Sequence, residues 1–78
     1  MRQAVVYSRR GCHLCEHLIE ELLPLLSGRL ALEVRDVDTN PDWQARFGER
    51  VPVLEIDDRI VCEARLDRQA VEQALSHA

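Results

Sequence analysis

The sequence predicts one α/β domain over residues 1–78, a four-stranded mixed sheet with helices on both faces in the order β-α-β-α-β-β-α. Three observations carry that expectation. A short β-rich run at residues 4–7 gives way, after a polar turn, to a long apolar pattern of helical period. Residues 30–35 then return to strand-like alternation, completing a βαβ unit with two parallel strands and a right-handed crossover. Finally, two apolar runs at residues 51–56 and 59–62 flank Asp57-Asp58, which reads as a hairpin turn.

Taken in order, Ala4-Val5-Val6-Tyr7 is apolar throughout, as a strand covered on both faces is, and Ser8-Arg9-Arg10-Gly11 ends it. From His13 the period lengthens. Leu14, Cys15, Leu18, Ile19, Leu22, Leu25 and Leu26 fall on one helical face, and His13, Glu16, His17, Glu20 and Glu21 on the other. Pro24 lacks an N–H and is expected to kink or end this helix, with Gly28 as its C-terminal cap. In the second strand Leu30, Leu32 and Val34 alternate with Ala31, Glu33 and Arg35, a half-buried pattern. Residues 36–40 form a loop. Asn40-Pro41 opens a short helix that carries Trp43 and Phe47 as packing residues and ends at Gly48. Asp67 caps a last helix whose inner stripe is Ala70, Val71, Ala74 and Leu75.

Composition bounds the function. Hydrophobic residues make up 46% and charged residues 31% of the chain, with both signs interspersed, so it is globular rather than disordered. A net charge of −4 argues against nucleic acid or an anionic membrane surface as partner. The four apolar residues near the N-terminus are too few for a signal-peptide core, and no run approaches a membrane span. A cytoplasmic setting and a monomer are therefore expected. In a reducing compartment a pair of neighbouring cysteines points to catalysis or metal binding rather than to a structural disulfide.

That pair is Cys12-His13-Leu14-Cys15. It stands at a helix start, where N–H groups lacking intrahelical partners favour a thiolate, and the three-residue spacing keeps both sulfurs on one side of the first turn. Arg9 and Arg10 add positive potential just before it. Cys15 shares the inward face with Leu18, Ile19 and Leu22, so Cys12 is expected to be the exposed nucleophile and Cys15 the buried resolving thiol. The alternatives are two ligands of a metal site or two unrelated core cysteines; a CxxC that follows a strand and opens a helix favours redox chemistry over both. His13, between the cysteines, would as a cation stabilise the thiolate. His13 and His17 have a metal-sharing spacing, but Glu16 and Glu20 on the same side mark a solvated face.

Val51-Pro52 is the second signal. A proline at the start of a central strand cannot donate to the ladder, and a cis peptide at a special turn would account for it. Together, Tyr7-Ser8-Arg9-Arg10-Gly11-Cys12-His13-Leu14-Cys15 and the later Arg50-Val51-Pro52-Val53 resemble a glutaredoxin of the thioredoxin-fold superfamily, the small bacterial glutaredoxin-like proteins in particular. The resemblance spans nearly the whole chain. It implies a cis Pro52 against the cysteine pair and a Val51 backbone that pairs with an extended substrate. It also places Arg9 where glutaredoxins carry a glutathione-contacting lysine. Two departures stand out. Val61-Cys62-Glu63-Ala64-Arg65 replaces the Gly-Gly and acidic turn that hold the γ-glutamyl end of glutathione, and Arg50 replaces a threonine. The larger side chains crowd a close backbone approach, and Glu63 repels a carboxylate. Cys62 reads as a buried strand residue beside Ile60, with a third redox thiol as the alternative.

The leading functional expectation is a dithiol oxidoreductase acting on a disulfide-containing protein or small thiol substrate. No resident cofactor is expected; glutathione or a thioredoxin-reductase-type donor would supply electrons. The substrate-binding set is Arg9, Arg10, His13, Val51 and Pro52. Alternatives are deglutathionylation by Cys12 alone, an iron–sulfur or metal carrier on the same fold, and a non-catalytic partner-binding module.

Overall fold

A computed structural model describes residues 3–76. Met1, Arg2, His77 and Ala78, part of the domain expected over residues 1–78, lie outside the described residues. The elements follow the expected order: β1 (Gln3–Ser8), α1 (His13–Leu26), β2 (Ala31–Asp36), a 3-10 turn (Val37–Thr39), α2 (Pro41–Phe47), β3 (Val53–Ile56), β4 (Arg59–Glu63) and α3 (Arg68–Ser76). The strands form one sheet in the order β2-β1-β3-β4. β1 runs parallel to β2 and antiparallel to β3, and β3 runs antiparallel to β4. This is a thioredoxin-like α/β arrangement.

Central β1 explains its own composition. Ala4 and Val6 face α1 and α3, where they meet Leu18, Leu22, Leu26, Leu54, Ile56 and Val71. Val5 and Tyr7 face the other way, onto Val37, Phe47 and Val53 beneath α2. A strand buried on both sides must be apolar at successive positions. Each buried Leu or Val contributes about 1.5–3 kcal/mol through the hydrophobic effect. β2 differs because it is an edge strand: Val34, expected to point inward, is 50% exposed. Alternation marks two faces, but it does not show whether a helix covers either of them.

Two further expectations are corrected. α1 does not end at Pro24; it continues to Leu26. Pro24 withholds one helix bond, the one its N–H would give to Glu20 O, and Leu26, two residues on, is fully buried. Leu14, assigned to the inner face, is 52% exposed. Leu14 instead lines a groove with Ala64, Arg65 and Leu66, while Cys15 beside it on the helix is buried.

Local chemistry fixes the remaining joints. The Asn40 side chain accepts from Asp42 N and Trp43 N at 2.8 and 3.3 Å, capping α2 ahead of Pro41. The Asp67 carboxylate accepts from Ala70 N at 3.1 Å and caps α3. Asp57 and Asp58 adopt φ of 53° and 67°, the left-handed pair a two-residue hairpin turn requires. The ladder then slips: Glu55 pairs with Ile60 but Leu54 pairs with Cys62, leaving Val61 as a bulge residue. Among the described residues no helix is long and apolar enough to cross a membrane.

Candidate redox site

The cysteine pair sits on the turn joining β1 to α1. Cys12 N donates to Arg9 O at 3.2 Å, and Gly11 between them takes φ 74°, which a type II turn demands at that position. Cys12 is therefore the N-cap of α1, with extended φ and ψ of −87° and 105°. Its Sγ accepts from Cys15 N at 3.2 Å, doing for this helix what a Ser or Asp oxygen usually does. All three cysteines are free thiols.

The two sulfurs occupy unlike environments. Cys12 is partly exposed, whereas Cys15 is 2% exposed. Burial pushes the Cys15 thiol up to about 12, and its hydrogen bond to Cys12 acts in the same direction. Cys15 thus holds its proton at neutral pH. Cys62 is partly buried on β4, on the face shared with α1 and α3, and burial raises its thiol as well.

Pairing of Tyr7 with Val53 brings the end of β1 and the start of β3 to the same edge of the sheet. The cysteine turn, which follows β1, and Val51-Pro52, which precedes β3, therefore share that edge. The Val51–Pro52 peptide bond is cis. Pro52 is buried, and its carbonyl accepts from Ala64 N at 2.8 Å, tying this segment to the end of β4. Val51 is half-buried, and its backbone N–H and carbonyl make no hydrogen bond among the described residues.

The charged residues named from sequence separate into engaged and free. Arg9 reaches Asp38 with Nε and Nη2 at 3.0 and 3.1 Å and donates Nη1 to Gly48 O at 3.0 Å. Its guanidinium is thereby occupied in tying the cysteine turn to the 3-10 turn ahead of α2 and to the residue that ends α2. Asp38, which also accepts from Gln44, is held below the usual carboxylate range by Arg9. No local pattern in the sequence marks Asp38 or Gly48 as partners of Arg9; the contacts span 29 and 39 residues. Arg10 is exposed. The His13 side chain is 96% exposed and lies 3.5 Å from Glu16, and His17 lies 3.1 Å from Glu21. No group of three or more metal-ligating side chains occurs among the described residues.

Arg50 and Glu63 form a second pair missed in the sequence. Arg50 Nε donates to Glu63 Oε1 at 3.0 Å, its Nη2 contacts Oε2, and its Nη1 donates to Arg46 O at 3.2 Å. The hydrogen bonds from Arg50 lower the Glu63 carboxyl below its ordinary value. Beside this pair a groove of about 380 Å³ runs between α1 and the β4–α3 corner, lined by Leu14, His17, Leu18, Glu21, Ala64, Arg65 and Leu66.

Comparison with known proteins gives this edge a family. Over 96% of this chain and 92% of the other, the fold matches the solution structure of protein Ne2328 from Nitrosomonas europaea, with a TM-score of 0.86 and 38% identity. Wheat glutaredoxin shares the fold at a TM-score of 0.61 and 18% identity, over 96% of this chain and 80% of that one. An uncharacterized protein of Mycobacterium tuberculosis is 33% identical over 64 residues, 73% of this chain; the match spans 65% of that relative's length. A family model, the glutaredoxin-like domain (DUF836), matches residues 3–76. With that match covering the sheet, the cysteine turn and the proline segment together, the chain belongs to the glutaredoxin-like domain family.

Proposed function

We propose that this chain is a dithiol thiol–disulfide oxidoreductase. The observation that carries the reading is the inequality of the two sulfurs: Cys12 is accessible at the start of α1, and Cys15 is buried and protonated three residues on. Cys12, as a thiolate, attacks one sulfur of a substrate disulfide, and the other sulfur leaves with the bonding electron pair. Cys15 then gives up its proton to the released thiolate and attacks Cys12 Sγ, expelling the second substrate thiol. The substrate gains two electrons and the Cys12–Cys15 pair is oxidised to a disulfide. Two molecules of a small thiol such as glutathione, or one dithiol reductase, return two electrons, and a reducing cytoplasm suits that step.

Two features support the reading. The unpaired backbone groups of Val51 offer an extended substrate a place to hydrogen-bond at the same sheet edge as Cys12. Membership of the glutaredoxin-like family supports redox chemistry at a CxxC. His13 and Arg10, both exposed beside Cys12, are assigned to electrostatic reception of the substrate rather than to its covalent chemistry.

The test is chemical. Iodoacetamide at pH 6.5 should label Cys12 faster than a thiol in the unfolded chain. Cys15→Ser should trap a mixed disulfide through Cys12 when offered a disulfide substrate. Labelling no faster than in the unfolded chain, or trapping through Cys62, overturns the assignment.

A further inference from the structure

The groove beside the cysteine turn has an apolar part formed by Leu14, Leu18, Ala64 and Leu66, while its His17 and Glu21 pair with each other at 3.1 Å. Leu14, lying between the two cysteines, is 52% exposed on its rim, Leu18 is buried at its floor and Leu66 is half-buried opposite. At about 380 Å³ the groove is large enough for a bulky side chain and part of its backbone.

Several of the groups around the groove that would bind a carboxylate are taken. At the β4–α3 corner, Ala64 N donates to Pro52 O and Arg65 N to Glu63 O, at 2.8 and 2.6 Å. The Asp67 carboxylate already fills the N-terminal position of α3. Arg9 is held by Asp38 and Gly48, and Arg50 by Glu63. Within the groove's own lining, His17 is paired with Glu21 at 3.1 Å, and Arg65 is the cation left for a carboxylate: it is exposed, and its side chain has no hydrogen-bond or ion-pair partner among the described residues. Glutathione carries no large apolar side chain to cover Leu14, Leu18 and Leu66, so it leaves the apolar part of this surface unfilled.

From this we infer that the groove receives a segment of a protein substrate. That segment carries an aliphatic side chain next to its disulfide cysteine, for Leu14, Leu18 and Leu66, and a carboxylate for Arg65. The inference rests on the oxidoreductase reading and names its substrate class. An apolar residue placed beside the attacking sulfur lets the same contact that binds the segment hold its disulfide in line.

The test is a single turnover of the fully reduced chain, which needs no external reductant. The probes are mixed disulfides of thionitrobenzoate with the peptides acetyl-Leu-Cys-Leu-Asp-amide and acetyl-Ser-Cys-Ser-Ser-amide, and with glutathione. Cys12 forms a disulfide with the probe's cysteine sulfur, and the thionitrobenzoate thiolate leaves and is read by its absorbance. Cys15 then displaces the cysteine thiol, which takes up the Cys15 proton.

The leucine peptide should react at least about tenfold faster than either other probe, the range one apolar contact gives. Leu14→Gln should shrink that ratio, and Arg65→Glu should slow the Asp peptide more than its Asn analogue. Ile60→Gln, at an exposed apolar residue of β4 outside the groove, should leave the ratio intact. Equal rates for all probes, a faster glutathione probe, or a ratio insensitive to Leu14→Gln overturns the groove assignment while the oxidoreductase reading stands. No thionitrobenzoate release from any probe, with all thiols titrated as free, overturns both.

Discussion

Replacing Cys12 by Ser leaves Cys15 to ionise alone inside the protein. Burial is the larger of the forces holding the Cys15 thiol near 12, against 9.0 for an ordinary cysteine, and burial survives that substitution. At pH 8 an ordinary thiol is about one-tenth thiolate, and one near 12 about one ten-thousandth. Cys15 of folded Cys12→Ser should therefore react with iodoacetamide more slowly than in urea, by up to about a thousandfold from ionisation alone. Burial also obstructs the reagent, so the pH profile is the cleaner readout. Mass-spectrometric labelling from pH 7 to 11 should show a rise centred near 9 in urea and still climbing at 11 in the folded chain. Stability must follow with a definite sign. Because the folded-state value lies above the unfolded one, the stabilisation from a protonated Cys15 is complete below about pH 9. It is then lost as pH rises towards 12. Urea melts of Cys12→Ser, compared with Cys12→Ser/Cys15→Ala, should diverge over that window. A folded-state labelling midpoint near 9 would falsify the argument from burial.

Other consequences concern the frame that holds the turn. Gly48→Ala should destabilise the fold by about 1–3 kcal/mol in urea melts, because its Cβ would come 2.5 Å from Gln44 O, a backbone atom that cannot swing aside. A melt unchanged within error would mean that α2 ends more loosely than described. Asn40→Ala should cost about 1 kcal/mol, since it strips the caps from Asp42 N and Trp43 N, and Asn40→Asp should recover most of it. Phe47→Ala should cost about 3–5 kcal/mol by opening a cavity under Tyr7, whose ring centroid lies 4.3 Å away. Loss of the aromatic near-UV circular dichroism signal in step with the melt would check that this damage centres on the ring cluster.

Much of this was legible because it is local. The period change at His13, the Asn40-Pro41 cap and the Asp57-Asp58 turn each lie within a few residues of their effect. The positions that misled depend on what lies across the fold. Leu14 fits the apolar stripe of α1, but nothing in the stripe says that it borders an open groove rather than the core. Val34 alternates correctly on a strand that turns out to be at the edge. Arg9 was placed near the cysteines but not in the grip of Asp38 and Gly48, which are brought near by the crossover. The Arg50–Glu63 pair was hidden for another reason: counting back from the Asp57-Asp58 turn sets Leu54 opposite Val61, and the bulge moves Cys62 into that place. A one-residue slip reverses the face of every side chain beyond it. That slip is also what puts Cys62 on the α1 side of the sheet, with its burial and raised thiol.

The same bulge bears on how the chain behaves in a crowd. β4 and β2 form the two rims of the sheet, and a straight rim of unpaired backbone groups is a template on which another extended chain can grow. On one rim the extra residue at Val61 kinks β4 between Arg59 and Glu63. On the other, Glu33, Arg35 and Asp36 line β2 with charge at close intervals. Neither rim offers the flat, uncharged run from which fibrils nucleate, so concentrated solutions of the folded chain should resist sheet-to-sheet growth without any protecting partner.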